Sequence, residues 1–447
     1  MAACVAIGAP AAAQEGRPKG GPFSGLFTGS PKDQPHTLDL SGSAFAAWDD
    51  NPLAQGFGGA EGFATDPRVV KQGLANGFQG ALVYGYHKSG TRSQFAANAN
   101  AGFQQFASAG SGALWFQSYG VSTGLTTKVS NKTFLSLGGG SSYAPYYQYA
   151  PFLRSTITEE SPVGTDYGFA VNSQWVRSAS ASASIENRFS KKSAISAGVD
   201  WQQRVMPENP QADLDMRTAR LQFRHNVTRK LGFHVGYGIQ ESRYSYPGAE
   251  PTRAHIMDIG LDYTDGLTVN INRRTQLSFL IGASLAKNGD PRSIVATGQE
   301  TRFVVTGSAT LGRSIGRTWS ASVGYNRGTF YMVGFPQPMI TDSANAGIGG
   351  QIVPRLHFSL GAGASRGQQL FSTAGEDAKI VTYSASSRLT YALFTHLGLY
   401  TQASYYRFSI PPGFTNFGFI PLLQRRSVSA GLTTWLPLIK PRRGTAS

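Results

Sequence analysis

One cysteine, Cys4, stands in the whole 447-residue chain, so no internal disulfide can staple this fold. Charge is also scarce. Asp, Glu, Lys and Arg make up only 15% of the residues, where ordinary soluble domains carry about 25%. That scarcity argues against the two or three water-facing domains the length would permit. Long apolar runs are missing too, since no stretch of about 18 apolar residues occurs, and this excludes a transmembrane helix. The seven histidines (His36, His87, His225, His234, His255, His357 and His396) show no close metal-ligand spacing. There is no Walker loop and no glycine fingerprint joining a strand to a helix. Gly363-Ala364-Ser365-Arg366-Gly367 matches the nucleophile-elbow pattern, yet it lies inside an alternating apolar/polar run where that elbow needs a strand-to-helix turn. No catalytic, metal-binding or cofactor-binding residue is assigned on these grounds.

What is abundant is glycine, at 54, and aromatic residues, at 12%. Ser, Thr, Asn and Gln fill much of the rest and keep the mean hydropathy at −0.21. A cassette recurs along the chain, clearest at Ser314-Ile315-Gly316-Arg317-Thr318-Trp319-Ser320-Ala321-Ser322-Val323-Gly324-Tyr325. A basic turn precedes alternating apolar and small polar side chains. Related copies lie at 189–199, 227–237, 271–282 and 353–363. Repetition at this spacing suits a hairpin unit stacked many times.

The alternation is strict in places. Leu231, Phe233, Val235, Tyr237 and Ile239 oppose Gly232, His234, Gly236 and Gly238. Period two puts each set on its own face of a strand. The polar face carries Ser, Gly, Asn and Gln rather than Lys and Glu, which suits a wet barrel lumen better than a solvent-facing sandwich. The spacing predicts strands near 38–48, 78–87, 93–106, 114–128, 133–147 and 174–189. More follow near 193–205, 216–227, 231–244, 254–264, 275–287 and 301–312, then 317–332, 340–352, 355–368, 378–391, 395–409 and 425–438. The expectation is an all-β, antiparallel up-and-down transmembrane barrel of about 18 strands, or 16 if one hairpin is miscounted.

Connections alternate between short turns, such as 129–132 and 353–354, and longer loops, such as 49–77 and 148–173. The connection 265–274 is longer than its class. This asymmetry of rims, with the alternating faces, resembles bacterial outer-membrane β-barrel proteins of the porin-like type over residues 38–438. The resemblance implies long loops outside, short turns in the periplasm, and folding by the barrel-assembly machinery. Such barrels commonly end on an aromatic residue recognised during assembly, a part Trp435 would play here ahead of Leu436–Ser447. Residues 1–13 read as part of a signal peptide cleaved after Ala13, 14–37 as a flexible periplasmic segment, and 439–447 as a tail.

The net charge of +15 sits largely on the short turns. Lys88, Arg92, Lys128, Lys132, Lys191, Lys192, Arg229 and Lys230 lie on or beside them, as do Arg273, Arg274, Arg313, Arg317 and Arg355. A ring of this kind meets outer-membrane lipids of the inner leaflet. Nothing suggests nucleic acid, since no basic helix or aromatic-basic platform is visible. Arg220, Arg224, Arg302 and Arg388 lie within strands on the face opposite the apolar residues, and Asp258 and Asp262 share that face. These six are the candidate pore-lining residues. They either create a positive field for anionic solutes or pair with Asp258, Asp262 and Glu186 to brace the wall. The tryptophans and the group Tyr143, Tyr146, Tyr147, Tyr149 and Phe152 fit an interface girdle, or a vestibule that stacks on sugars.

The function expected from the resemblance is passive diffusion of small hydrophilic solutes across an outer membrane, with the strand arginines adding an expected lean toward anions. An export pore for an anionic exopolysaccharide and a structural or surface-interaction barrel are the alternatives. A homo-oligomer is implied by the class alone.

Overall fold

The computed structural model describes residues 36–50, 73–86, 92–106, 114–145, 175–207, 213–227, 232–245, 251–262 and 269–272. It further describes 274–287, 301–316, 318–330, 339–370, 379–409 and 422–439. The proposed signal, most of the N-terminal segment and most of the tail lie outside these residues. So do Cys4, Lys88, Tyr146, Tyr147, Tyr149, Phe152, Arg229, Lys230, Arg273 and Arg317.

Every element in the described residues is a strand. The first are β1 (His36–Asp49), β2 (Gly73–Tyr86), β3 (Ser93–Phe106), β4 (Leu114–Lys128), β5 (Thr133–Pro145) and β6 (Trp175–Asn187). Then come β7 (Ser193–Val205), β8 (Leu214–Asn226), β9 (Gly232–Tyr244), β10 (Thr252–Asp262), β11 (Val269–Asn272) and β12 (Thr275–Lys287). The chain closes through β13 (Thr301–Ile315), β14 (Trp319–Phe330), β15 (Met339–Val353), β16 (Leu356–Gln369), β17 (Lys379–Phe394), β18 (Leu397–Ser409) and β19 (Leu422–Pro437). Each strand pairs antiparallel with the next, and β1 pairs with β19, so one sheet closes on itself. Closure satisfies every strand edge, the condition for a sheet surrounded by lipid.

β10 and β11 both run antiparallel to β12 and are successive parts of one stave, so the barrel has 18 staves. This accounts for the overlong connection 265–274. Residues 263–268 separate Asp262 from Val269, whereas their partners on β12, Leu280 and Leu277, are separated only by Ser278 and Phe279. The stave carries extra chain at that point and then resumes, leaving only residues 273 and 274 before β12. The other expected strands are present with shifts of a few residues at their ends, the largest at β2, which begins at Gly73 rather than near 78.

The rims differ as expected. Short turns are at 87–92, 129–132, 188–192, 227–231, 316–318, 354–355 and 395–396, and long connections reach 50–72 and 146–174 on the other rim. Gly316, at φ 67°, is the positive-φ glycine of the described backbone and sits in the tight 316–318 turn, where a side chain would be strained. At the seam the amide of Asp50 donates to the carbonyl of Arg426 at 3.0 Å, and the amide of Leu438 donates to that of Leu38 at 2.7 Å. Gly431 lies between Phe45 of β1 and Tyr400 of β18 in register, and a Cβ there would collide with the Ala44 carbonyl. A bare backbone is what lets these three strands close together.

Period two sorts the side chains. Outward positions are apolar and exposed, with Ile259 at 65% and Phe303 at 68% relative exposure. That much apolar surface around a closed sheet is the face a membrane covers. Trp48, Tyr119 and Tyr143 ring the outward face near the long-loop rim, and Trp175 stacks on Tyr143 at 4.9 Å between centroids. This places Tyr143 in a girdle rather than a vestibule.

Candidate functional site: the inner wall of the barrel

In β8 the exposed residues Arg217, Ala219 and Leu221 alternate with buried Leu214, Met216 and Thr218. Arg220 and Arg224 therefore fall on the inward face, as the alternation predicts. Arg220 is flanked in register by two glycines, Gly198 of β7 and Gly238 of β9. A Cβ added to Gly238 would crowd the Ala219 carbonyl at 3.2 Å while only touching the Arg220 stem at ordinary contact distance, so glycine here eases the approach of β9 to β8. Asp200 of β7, one diagonal step away, lies close enough to feel the Arg220 charge. Arg224 faces His234 in register.

Arg302 is inward on β13, on the same face as buried Val304 and opposite outward Phe303 and Val305. Arg388 is inward on β17, and its guanidinium lies over the Tyr400 ring of β18, 4.3 Å from the centroid. Such a contact contributes about 0.5–2 kcal/mol and holds the cation in a fixed pose. Asp258 pairs in register with Gly236 and Asp262 with Gly232, while their side chains lie outside the described ones. Asp258 is thus two staves from Gln222, midway in level between Arg220 and Arg224, roughly 10 Å across the sheet.

These residues do not converge on one point. β8, β13 and β17 stand well apart around an 18-stave ring. Glu186, expected to brace the strand arginines, bonds Arg188 at 2.5 Å beside a short turn instead. Ser365 of the elbow-like motif lies wholly within β16, buried, sharing a hydrogen bond with Thr382. Trp435 stands near the end of β19 with its ring 5.9 Å from that of His396.

Sequence reasoning missed the most buried ion pair among the described residues. Asp49 and Arg425 are both almost fully buried, with side-chain exposures of 0% and 4%. The Arg425 Nε donates to both carboxylate oxygens at 3.1 and 2.9 Å, and Nη2 donates at 2.5 Å. The two lie at opposite ends of the sequence and meet only because β1 and β19 close the ring. The available signal was parity: Asp49 shares a face with Ser41 and Ser43, and Arg425 with Ser427 and Ser429. Asp200 and inward Arg204 were also missed, though each obeys the same alternation along β7.

The wall has two characters. Inward Asn98, Asn100, Ser122, Ser142, Ser180 and Ser184, on β3 to β6, are exposed to open space. By contrast Phe45, Val304, Met339, Ile380 and Phe408, inward on β1 and β13 to β18, are buried.

No protein-family model matches the chain. No curated protein matches it either. Among solved structures it is similar to Acinetobacter baumannii OccAB4, at 12% identity and a TM-score of 0.41 over 91% of this chain and 100% of that one. Pseudomonas aeruginosa OpdQ is similar at 12% identity and a TM-score of 0.42, over 90% of this chain and 98% of that one. P. aeruginosa OccK2 (OpdF), solved in complex with glucuronate, is similar at 11% identity and 0.44, again over 90% and 98%.

Proposed function

We propose that the chain is an outer-membrane channel of a Gram-negative-type bacterium through which small hydrophilic solutes diffuse, with a preference for anions. The observation that carries the reading is the exposed polar wall of β3 to β6. A lumen closed by its own side chains would bury those Asn and Ser groups, whereas here they face space, and a ring of about 16–18 staves is wide enough for an aqueous path. The outward apolar face, the aromatic girdle and the closed edges support insertion in a membrane. The long connections would lie outside and the short turns in the periplasm.

The anion preference follows from the inward cations Arg204, Arg220, Arg224, Arg302 and Arg388, opposed by fewer inward carboxylates among the described side chains. Arg425 adds nothing to that field, because Asp49 neutralises it at contact. Reconstitution into planar bilayers tests both parts. Stepwise conductance with a reversal potential displaced toward the anion in a salt gradient is expected. Absence of conductance from folded protein overturns the channel, and clear cation preference overturns the selectivity.

A further inference from the structure

The basic residues beside the short turns do not all look toward the lipid. Three successive turns share one device. In each, the last residue before the next strand is basic, and its carbonyl accepts an amide from the neighbouring hairpin. Arg92 accepts from Lys128 at 2.6 Å, Lys132 from Arg188 at 2.7 Å and Lys192 from Asn226 at 2.7 Å. These bonds carry the ladder one residue past β3, β5 and β7, and the alternation goes with it. Arg92 is then in step with inward Asn98 and Asn100, Lys132 with inward Ser142, and Lys192 with inward Asp200. Two of the turns are fixed alike. The Ser130 hydroxyl accepts the Lys132 and Thr133 amides at 3.2 and 3.1 Å, and that of Ser190 accepts the Lys192 and Ser193 amides at 3.1 and 2.8 Å.

The strand ends facing these turns add Lys128, Arg188 and Arg224, inward by the same parity. For Arg188 a contact bears this out: its guanidinium lies 4.8 Å from the ring centroid of Phe134, which pairs in register with Glu186 on the inward face. Six cations thus gather on the inward ends of β3 to β8, at the foot of the exposed polar wall. Arg92, Lys132, Arg188 and Lys192 are exposed, while Lys128 and Arg224 are half-buried. Among the described side chains there, Glu186 is the one carboxylate, and it holds Arg188 at 2.5 Å.

The arrangement works against the sheet. Arg92 stands directly across from Lys128, and Lys132 from Arg188. Like charges so placed, with β-carbons about 5 Å apart, destabilise a strand pair. Farther round the ring Arg274, Arg355 and His396 accept the same bond, but from Ser314, Ala392 and Trp435. Among the described residues, inward pairs of Lys and Arg therefore face each other only below the polar wall. Lipid headgroups do not explain them, because the inward face is turned away from the lipid. An anion lying over a facing pair relieves the repulsion. One negative charge at one exposed cation is held weakly in water. Two or three charges on a single small molecule meet both members of a pair, and the second contact forms at high effective concentration.

We infer that the inward ends of β3 to β8 bind small multivalent anions, carrying two or more carboxylate or phosphate groups, at the short-turn mouth of the barrel. The inference names a solute class for the channel proposed above and rests on that reading for its place in transport. The binding itself is measured without conductance, so either can fail alone.

The full chain, folded in detergent and checked by heat-modifiable gel mobility, would be titrated by calorimetry at one fixed, low ionic strength. The probes are citrate, tripolyphosphate and acetate. At least one of the two multivalent probes is expected to bind tenfold or more tighter than acetate, and the tighter of them identifies the preferred group. Lys128→Gln/Lys132→Gln/Arg188→Gln should lose most of that preference. Arg366→Gln/Arg407→Gln/Arg426→Gln, which removes three exposed outward charges near the other rim, should keep it. Binding of both multivalent probes no tighter than acetate by the unaltered protein overturns the inference, whatever the variants do. Equal loss from the two triple variants reduces the effect to overall charge and overturns it as well.

Discussion

The wall of β3 to β6 and the wall running from β13 through β19 to β1 obey the same alternation, yet one is largely wet and the other packs buried apolar groups, with inward Thr310 and Asn326 still exposed. On the wet side most inward positions at mid-strand are Asn, Ser and Gly, with Phe134, Val176 and Glu186 toward the strand ends. Asn100 lies over Gly120, where a Cβ would fall 2.5 Å from its side-chain oxygen. On the dry side large apolar groups enter the inward set, and Phe408, Met339 and Ile380 are fully buried. Inward therefore does not mean solvated. The dry wall behaves as a hydrophobic core with a buried ion pair, and the wet wall as a channel lining. Stability should reside in the first and permeation in the second.

The seam pair offers the largest test of that division. Asp49→Ala would strand Arg425 without its carboxylate in a buried site, a loss of about 3–5 kcal/mol. Urea unfolding followed by gel mobility measures it, and a loss under about 1 kcal/mol would show the seam to be wetter than its burial implies. Adding Arg425→Gln should recover part of the loss, since the two side chains act as one unit.

Phe408→Ala comes next, at about 3–5 kcal/mol for a buried aromatic truncated in a packed site. The matching change on the wet wall, Asn100→Ala, should cost no more than about 0.5 kcal/mol. Similar costs for the two, in the same unfolding assay, would erase the distinction between the walls.

Permeation should show the opposite ranking. Asn100→Asp places a carboxylate on the open side and should pull the reversal potential measurably toward cations at little cost in stability. Phe408→Ala should leave the reversal potential near that of the unaltered protein. The smallest effect expected is that of Arg388→Gln. It gives up the contact with Tyr400, about 0.5–2 kcal/mol, and one inward charge, giving a slight fall in anion preference in the same bilayer experiment.

Much of this was readable in the chain. The inward placement of Arg220, Arg224, Arg302 and Arg388 follows from the parity of Leu221, Phe303 and Leu389, a relation that never leaves one strand. The alternation of short and long connections was equally local. The stave broken between Asp262 and Val269 was not readable, because a ladder interrupted and resumed looks like a loop until its partner strand is known. Nor was Asp200 recognised beside Arg220, since a diagonal neighbour depends on register.

What the sequence alone determined is the face each side chain occupies and the closed all-β architecture those faces require, because period two is a property of consecutive residues. The tertiary structure decided which residues share a level of the ring. Asp49 meets Arg425 across the seam, Arg388 finds Tyr400, and cations from six strand ends gather at the foot of the wet wall. These juxtapositions depend on the offset between neighbouring strands and on where the ring closes, and neither is written in any one strand's pattern.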